Sequence, residues 1–153
     1  MLVAGTLALA GCGGSSTAAT AGSAWTAKAD VICRQLNARL VSTPPGPHAS
    51  HAEIARNALQ HAALEQAVAT ELGKLTPPAA LTRDWAQILA YRRQLSTQLV
   101  ALAASWKRND IKRLRVLGRS KEKIHLKLAA IAHGDGFRDC SHVGSTATAT
   151  LPG

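Results

Sequence analysis

Three kinds of side chain in this 153-residue sequence could do chemistry: three cysteines, six histidines and a dense set of lysines and arginines. The histidines raise metal binding first, because imidazole is the commonest metal ligand. His48 and His51 are spaced His-x-x-His, but the pair straddles a proline-rich connection and a helix start, with Glu53 the sole third ligand nearby. Metal sites in helical bundles draw converging Glu and Glu-x-x-His ligands from several helices. Here Glu122-Lys123-Ile124-His125 occurs once, beside lysines that repel a cation, so no metal site and no cofactor are expected. Nucleophilic catalysis has no frame either. The chain lacks Gly-x-Ser-x-Gly, a phosphate-cradling glycine loop and a free cysteine beside a histidine, so an enzyme is not expected.

The cationic residues are unevenly placed. Nine lie between Lys107 and Lys127 against Asp110 and Glu122, which accounts for most of the net charge of +9. A helix with one apolar stripe turns the remainder outward. Lys112, Arg113, Arg115, Arg119, Lys123 and Lys127 are therefore expected to form a cationic face, in the plain reading a solvated surface that keeps the protein soluble and in the functional reading a contact for a polyanion.

Which polyanion depends on the compartment, and Cys12 bears on that. It follows an apolar and small-residue run, Met1 to Ala10, and closes the tetrapeptide Leu9-Ala10-Gly11-Cys12. The pattern resembles the lipobox of exported bacterial lipoproteins. The resemblance implies a cut after Gly11, a thioether diacylglycerol on Cys12 and often a further acyl chain on the freed amine. A run of about ten residues is half the roughly 20 that a spanning helix needs, yet adequate for a signal-peptide core. Two acyl chains, at about 0.8 kcal/mol per buried CH₂, make a durable anchor. No Lys or Arg precedes the run, so the start codon is expected upstream of Met1. The expected location is the extracytoplasmic face of the bacterial cell membrane, where the cationic face would meet anionic lipid or wall polymer rather than nucleic acid.

Outside the cytoplasm disulfides form and persist. With Cys12 lipidated, Cys33 and Cys140 remain as one pair. Closing that loop of roughly 108 residues stabilises by about 4.7 kcal/mol in the chain-entropy model.

The elements that must position these groups read as helices. Aromatic residues are only 3% of the chain, and alanine and leucine dominate, which favours helix over sheet. Residues 1–11 are read as the signal, 12–22 as a flexible lipidated tether, 23–141 as the folded domain and 142–153 as a disordered tail. A first helix, capped by Ser23, carries Trp25, Ala29, Ile32, Leu36 and Leu40 on one stripe and ends before Pro44-Pro45. Ser50 and Glu53 form a capping box for a second helix to about Leu75, with Ile54, Ala58, His61, Leu64, Val68, Leu72 and Leu75 inward. After Pro77-Pro78, with Thr82 as a cap candidate, a third helix repeats Leu81, Trp85, Ile88, Arg92, Leu95, Leu99, Leu102 and Trp106.

Two polar residues fall on these apolar stripes. His61 is read as an interface histidine, hydrogen-bonded or partly exposed. Arg92 is expected to pack its stem and extend its head to solvent, the alternative being a buried pair with Glu65 or Glu71. If both lined a cavity, the interior would suit a small ligand or a metal instead.

Asn109-Asp110 turns into a fourth helix with Ile111, Leu114, Leu117, Ile124, Leu128 and Ile131 inward to about Ala132, and Gly134 and Gly136 end it. Four amphipathic helices with short connections predict an all-α, up-down-up-down four-helix bundle, with the segment after the last helix running back to bring Cys140 to Cys33.

Ala29-Asp30-Val31-Ile32-Cys33, the Pro77-Pro78 break followed by Asp84-Trp85, and Gly136-Phe137-Arg138-Asp139-Cys140 resemble a group of small, alanine-rich actinobacterial lipoproteins. The resemblance covers Ser23 to about Ser141. It implies a secreted helical bundle with one disulfide and no catalytic residues to carry over. The sequence reading is thus a monomeric, lipid-anchored envelope module without enzymatic activity.

Overall fold

The computed structural model describes residues 15–41, 45–46 and 48–141; of residues 15–21, 40 and 41 the backbone alone is described. It is an antiparallel bundle of four helices: α1 (Ser15–Val41), α2 (His51–Leu72), α3 (Thr82–Lys107) and α4 (Ile111–Gly134). No strand occurs among the described residues, and no helix there is long and apolar enough to cross a membrane. Cys12 and residues 142–153, to which the sequence assigns the anchor and the tail, lie outside the described residues.

The helix limits follow local chemistry, with three departures from the sequence reading. α1 begins at Ser15, about two turns before Ser23, so the tether read over 12–22 is helical from Ser15 onward. Ser23 is not a cap; its carbonyl accepts a hydrogen bond from the Thr26 hydroxyl inside the helix. Alanine is the best helix former, and a helix already fixed by packing from Trp25 onward propagates through an Ala-rich segment at little cost. α2 opens on the expected capping box, Ser50 Oγ accepting from the Glu53 N–H while the Glu53 carboxylate accepts from the Ser50 N–H. It stops at Leu72 rather than Leu75, because Gly73, Lys74 and Leu75 form turns on the last carbonyls. Before α3 a single 3₁₀ turn, Ala79–Leu81, takes the place of a cap, and the Thr82 hydroxyl donates to the Pro78 carbonyl instead of capping. Asn109, at φ 52°, reverses the chain into Asp110, whose carboxylate accepts from the Arg113 N–H and starts α4.

The core has two parts. The larger joins Ala29, Cys33 and Leu36 of α1 to Val68 and Leu72 of α2, Trp85, Ile88 and Leu95 of α3, and Ile124, Leu128 and Ala132 of α4. Phe137 closes it: Trp25 meets Trp85 edge-on at 4.6 Å, and Trp85 stacks on Phe137 at 5.7 Å. The smaller part, at the opposite end, is Ala55 and Ala58 of α2, Ala103 and Trp106 of α3, and Leu114 of α4. Alanine lines the buried stripe of α2 at 55, 58, 62 and 69. These small side chains bring α2 close enough to α3 for Ser96 Oγ to donate to the Ala62 carbonyl at 2.8 Å.

After α4 the chain reverses at Gly136, which adopts φ 79°, a conformation that glycine enters without strain. Residues 137–140 then run back along α1, and Cys140 bonds Cys33 across a Cα separation of 5.0 Å. The predicted bundle and its disulfide are both present.

Candidate functional site

Two groups of charged residues stand out, one on the surface and one in the interior. The surface group belongs to α4. Leu114, Leu117, Ile124, Leu128 and Ala132 face the core. The other side of the helix must then face water, and Lys112, Arg113, Arg115, Arg119, Lys123 and Lys127 are all exposed, as read from the sequence. Arg115, Arg119, Lys123 and Lys127 are spaced by four and so form one row, about 18 Å long at 1.5 Å per residue. Among the described residues, none of these six is paired with a carboxylate. Val116 and Leu126 share this face, 44% and 65% exposed.

The interior group overturns the preferred sequence reading of Arg92 and bears out the alternative, a buried pair with Glu65. The Arg92 head does not reach solvent: the whole residue is 0% exposed, and Nη1 donates to Glu65 Oε2 at 3.0 Å. Nη2 donates to the Cys140 carbonyl at 3.4 Å and faces Cys33 Sγ at 3.7 Å. An arginine at this depth cannot snorkel, since α1 and the returning segment both lie over it. Burial without a partner would be prohibitive, and Glu65 supplies the counter-charge. His61 is buried, one turn from Glu65 on α2. Lys121 and His125 of α4 lie partly buried near the same groups.

The electrostatics follow from that crowding. Burial, then the charges of Lys121 and Arg92, hold His125 down to about 4. Burial and Lys121 also depress His61. Burial lowers the Lys121 ammonium, with Glu65 acting in the opposite direction. Both histidines are therefore neutral at pH 7. The groups close to Arg92 are protein: Glu65, the disulfide and a backbone carbonyl. A cavity of about 110 Å³ does lie between α1 and α2, but Ile32, Leu36, Leu64 and Val68 line it together with Gln35, Arg39 and Glu71, and neither His61 nor Arg92 does. Among the described residues no cluster of three or more His, Cys, Asp or Glu is arranged to hold a metal.

One buried group had no role in the sequence reading. Asp30, 7% exposed on α1, accepts from three consecutive backbone N–H groups, those of Arg138, Asp139 and Cys140, at 2.9, 3.0 and 3.0 Å. Arg34 pairs with Asp139 at 2.9 Å, and Asn37 Nδ2 donates to the Asp139 carbonyl. The available signal was an acid three residues before a disulfide cysteine. It lies at the edge of the α1 stripe, where a carboxylate can reach a neighbouring backbone but not water.

Compared with family models, curated proteins and solved structures, the chain matches none.

Proposed function

We propose that this protein is a lipid-anchored, extracytoplasmic helical-bundle lipoprotein that acts without catalysis at the bacterial cell envelope, engaging an anionic surface through the outer face of α4. The observation that carries this reading is the row Arg115, Arg119, Lys123 and Lys127, exposed and unpaired with carboxylates. Like charges at i, i+4 destabilise a helix by about 0.2–0.5 kcal/mol per pair, so the row gives the fold nothing in return. Toward an anionic surface each such residue contributes about 1 kcal/mol, and four together give roughly a thousandfold in affinity. The disulfide accords with an oxidising compartment. Lipidation at Cys12 would hold the domain beside that surface, making even a weak contact effective.

Fractionation of the native cells tests the anchor, with Cys12→Ala expected to move the protein from the membrane to the soluble fraction. Retention of the variant in the membrane fraction would refute lipidation there. Charge reversal of Arg115, Arg119, Lys123 and Lys127 is expected to abolish salt-sensitive binding to anionic vesicles and to soluble polyphosphate. Unchanged binding to both would remove α4 as the contact.

A further inference from the structure

The exposed side of α4 is more than a charged strip. The large exposed apolar residues among those described are Val31, Leu59, Val100, Val116 and Leu126, and α4 alone carries two of them. Leu126, at 65%, is the most exposed. It lies one turn after Lys123 and next to Lys127. Val116 lies beside Arg115, one turn after Lys112 and one turn before Arg119. At 3.6 residues per turn Leu126 stands opposite Leu117, Ile124 and Leu128, and Val116 lies on the flank of the same face, on the Lys123 and Lys127 side of the cationic row.

A dissolved polyanion and a bilayer would treat this pattern differently. A hydrated phosphate polymer neutralises the arginines and lysines but leaves Leu126 and Val116 in water. An anionic phospholipid surface meets both needs, because its phosphates lie at the level of the cationic heads and its acyl boundary lies a few ångströms deeper. Long Lys and Arg stems allow a helix to lie in that plane, heads among the phosphates and apolar residues below them. Within α4 the sole carboxylate is Glu122, so little opposes such an approach.

We propose that α4 seats lengthwise on an anionic phospholipid bilayer, with Leu126 and Val116 entering the headgroup region between Arg115, Arg119, Lys123 and Lys127. This rests on the reading that the same face engages an anionic surface, and it names that surface as lipid rather than wall polymer. The core of α4 is unaffected, since neither apolar residue takes part in it.

The test uses the full chain carrying Cys12→Ala, so that no acyl anchor contributes. The probes are vesicles of about three parts phosphatidylcholine to one of phosphatidylglycerol, pure phosphatidylcholine vesicles, and soluble polyphosphate. The parent is expected to bind the anionic vesicles above the pure phosphatidylcholine baseline and to lose that binding as salt is raised. V116S/L126S is expected to keep its helical circular dichroism and its polyphosphate affinity while binding anionic vesicles about tenfold more weakly. R119E/K123E is expected to weaken both. If V116S/L126S binds the vesicles as tightly as the parent, or if the parent binds polyphosphate but not vesicles, the lipid-seated arrangement is wrong and the charge-based reading stands. If R119E/K123E changes neither affinity, both fall together.

Discussion

Replacing Arg92 with methionine is the perturbation whose size the structure constrains most tightly. The guanidinium is 0% exposed and holds Glu65, itself 3% exposed, at 3.0 Å. Removing one partner of a buried ion pair strands the other charge, at a cost of about 3–5 kcal/mol. Two local details adjust that figure in opposite directions. Lys121 acts on Glu65 from α4 and supplies partial compensation, which favours the lower half of the range. The Cys140 carbonyl loses its donor, which adds about 1 kcal/mol. The net expectation for Arg92→Met is about 3–5 kcal/mol, or roughly 12–20 °C in melting temperature for a domain of this size. Glu65→Met strands the arginine instead and belongs in the same range. The double variant removes both charges from an apolar setting, where such replacement is commonly neutral or stabilising, so it is expected within about 1 kcal/mol of the parent. Guanidinium unfolding with the disulfide intact, followed through the fluorescence of Trp25 and Trp85, measures all four corners of this cycle. An Arg92→Met cost below about 1 kcal/mol, or a double variant as unstable as the two singles summed, would refute the account of Arg92 as a locked interior charge.

Asp30→Ala removes the acceptor of three backbone N–H groups. Those of Arg138 and Asp139 can be rehydrated and that of Cys140 cannot, so the expected loss is about 2–4 kcal/mol, with faster reduction of the Cys33–Cys140 bond by dithiothreitol. An Ala variant with parental stability and reduction rate would show that the returning segment is held by other contacts. Acidification acts through the interior histidines, among Glu65 of α2, Arg92 of α3 and Lys121 of α4. An unfolded chain protonates His125 near 6.5, while the folded protein resists until about 4, so the unfolded state binds more protons between those values. Stability is therefore complete above pH 6.5 and falls as pH drops through that window, by at most about 1.4 kcal/mol per pH unit for each such histidine. Melting curves from pH 7 to 4 should flatten in H61Q/H125Q, and an identical slope in that variant would disprove the assignment.

Periodicity and punctuation were enough to read four helices, their order and most of their limits. Ser50 and Glu53, the prolines at 77 and 78 and the four-three spacing from Leu81 to Trp106 each act within a few residues, which is the range over which sequence reasoning is strong. The disulfide was legible because subtracting one assigned cysteine left a single pair. The start of α1 was not, since an Ala-rich segment without charge reads equally as linker or helix until packing downstream decides it. For Arg92 the preferred reading, a head in solvent, was wrong and the alternative, a buried pair with Glu65, was right. A helical stripe shows that a residue faces inward but not what lies opposite, and the groups that receive its guanidinium come from α2, α1 and the segment after α4, at separations of 27, 59 and 48 residues. Asp30 reaches its partners across 108 to 110 residues, again beyond any local pattern.

The interior charges and the surface charges of this protein therefore have different standing. Asp30, Glu65 and Arg92 each have a structural partner: Asp30 binds the returning backbone, and the Glu65–Arg92 pair joins α2 and α3 to the disulfide. Their presence is explained once the bundle is assembled. The α4 row is not explained that way. Its three successive like-charge steps cost helix stability of about 1 kcal/mol in total, and its outward side chains touch nothing that the fold requires. A face of interspersed opposite charges would satisfy the bundle better and would keep it soluble as well. Two apolar residues on the same face also work against solubility. Charge and apolarity that both disfavour the isolated domain, placed together on one side of one helix, favour contact with something anionic outside it and acyl beneath.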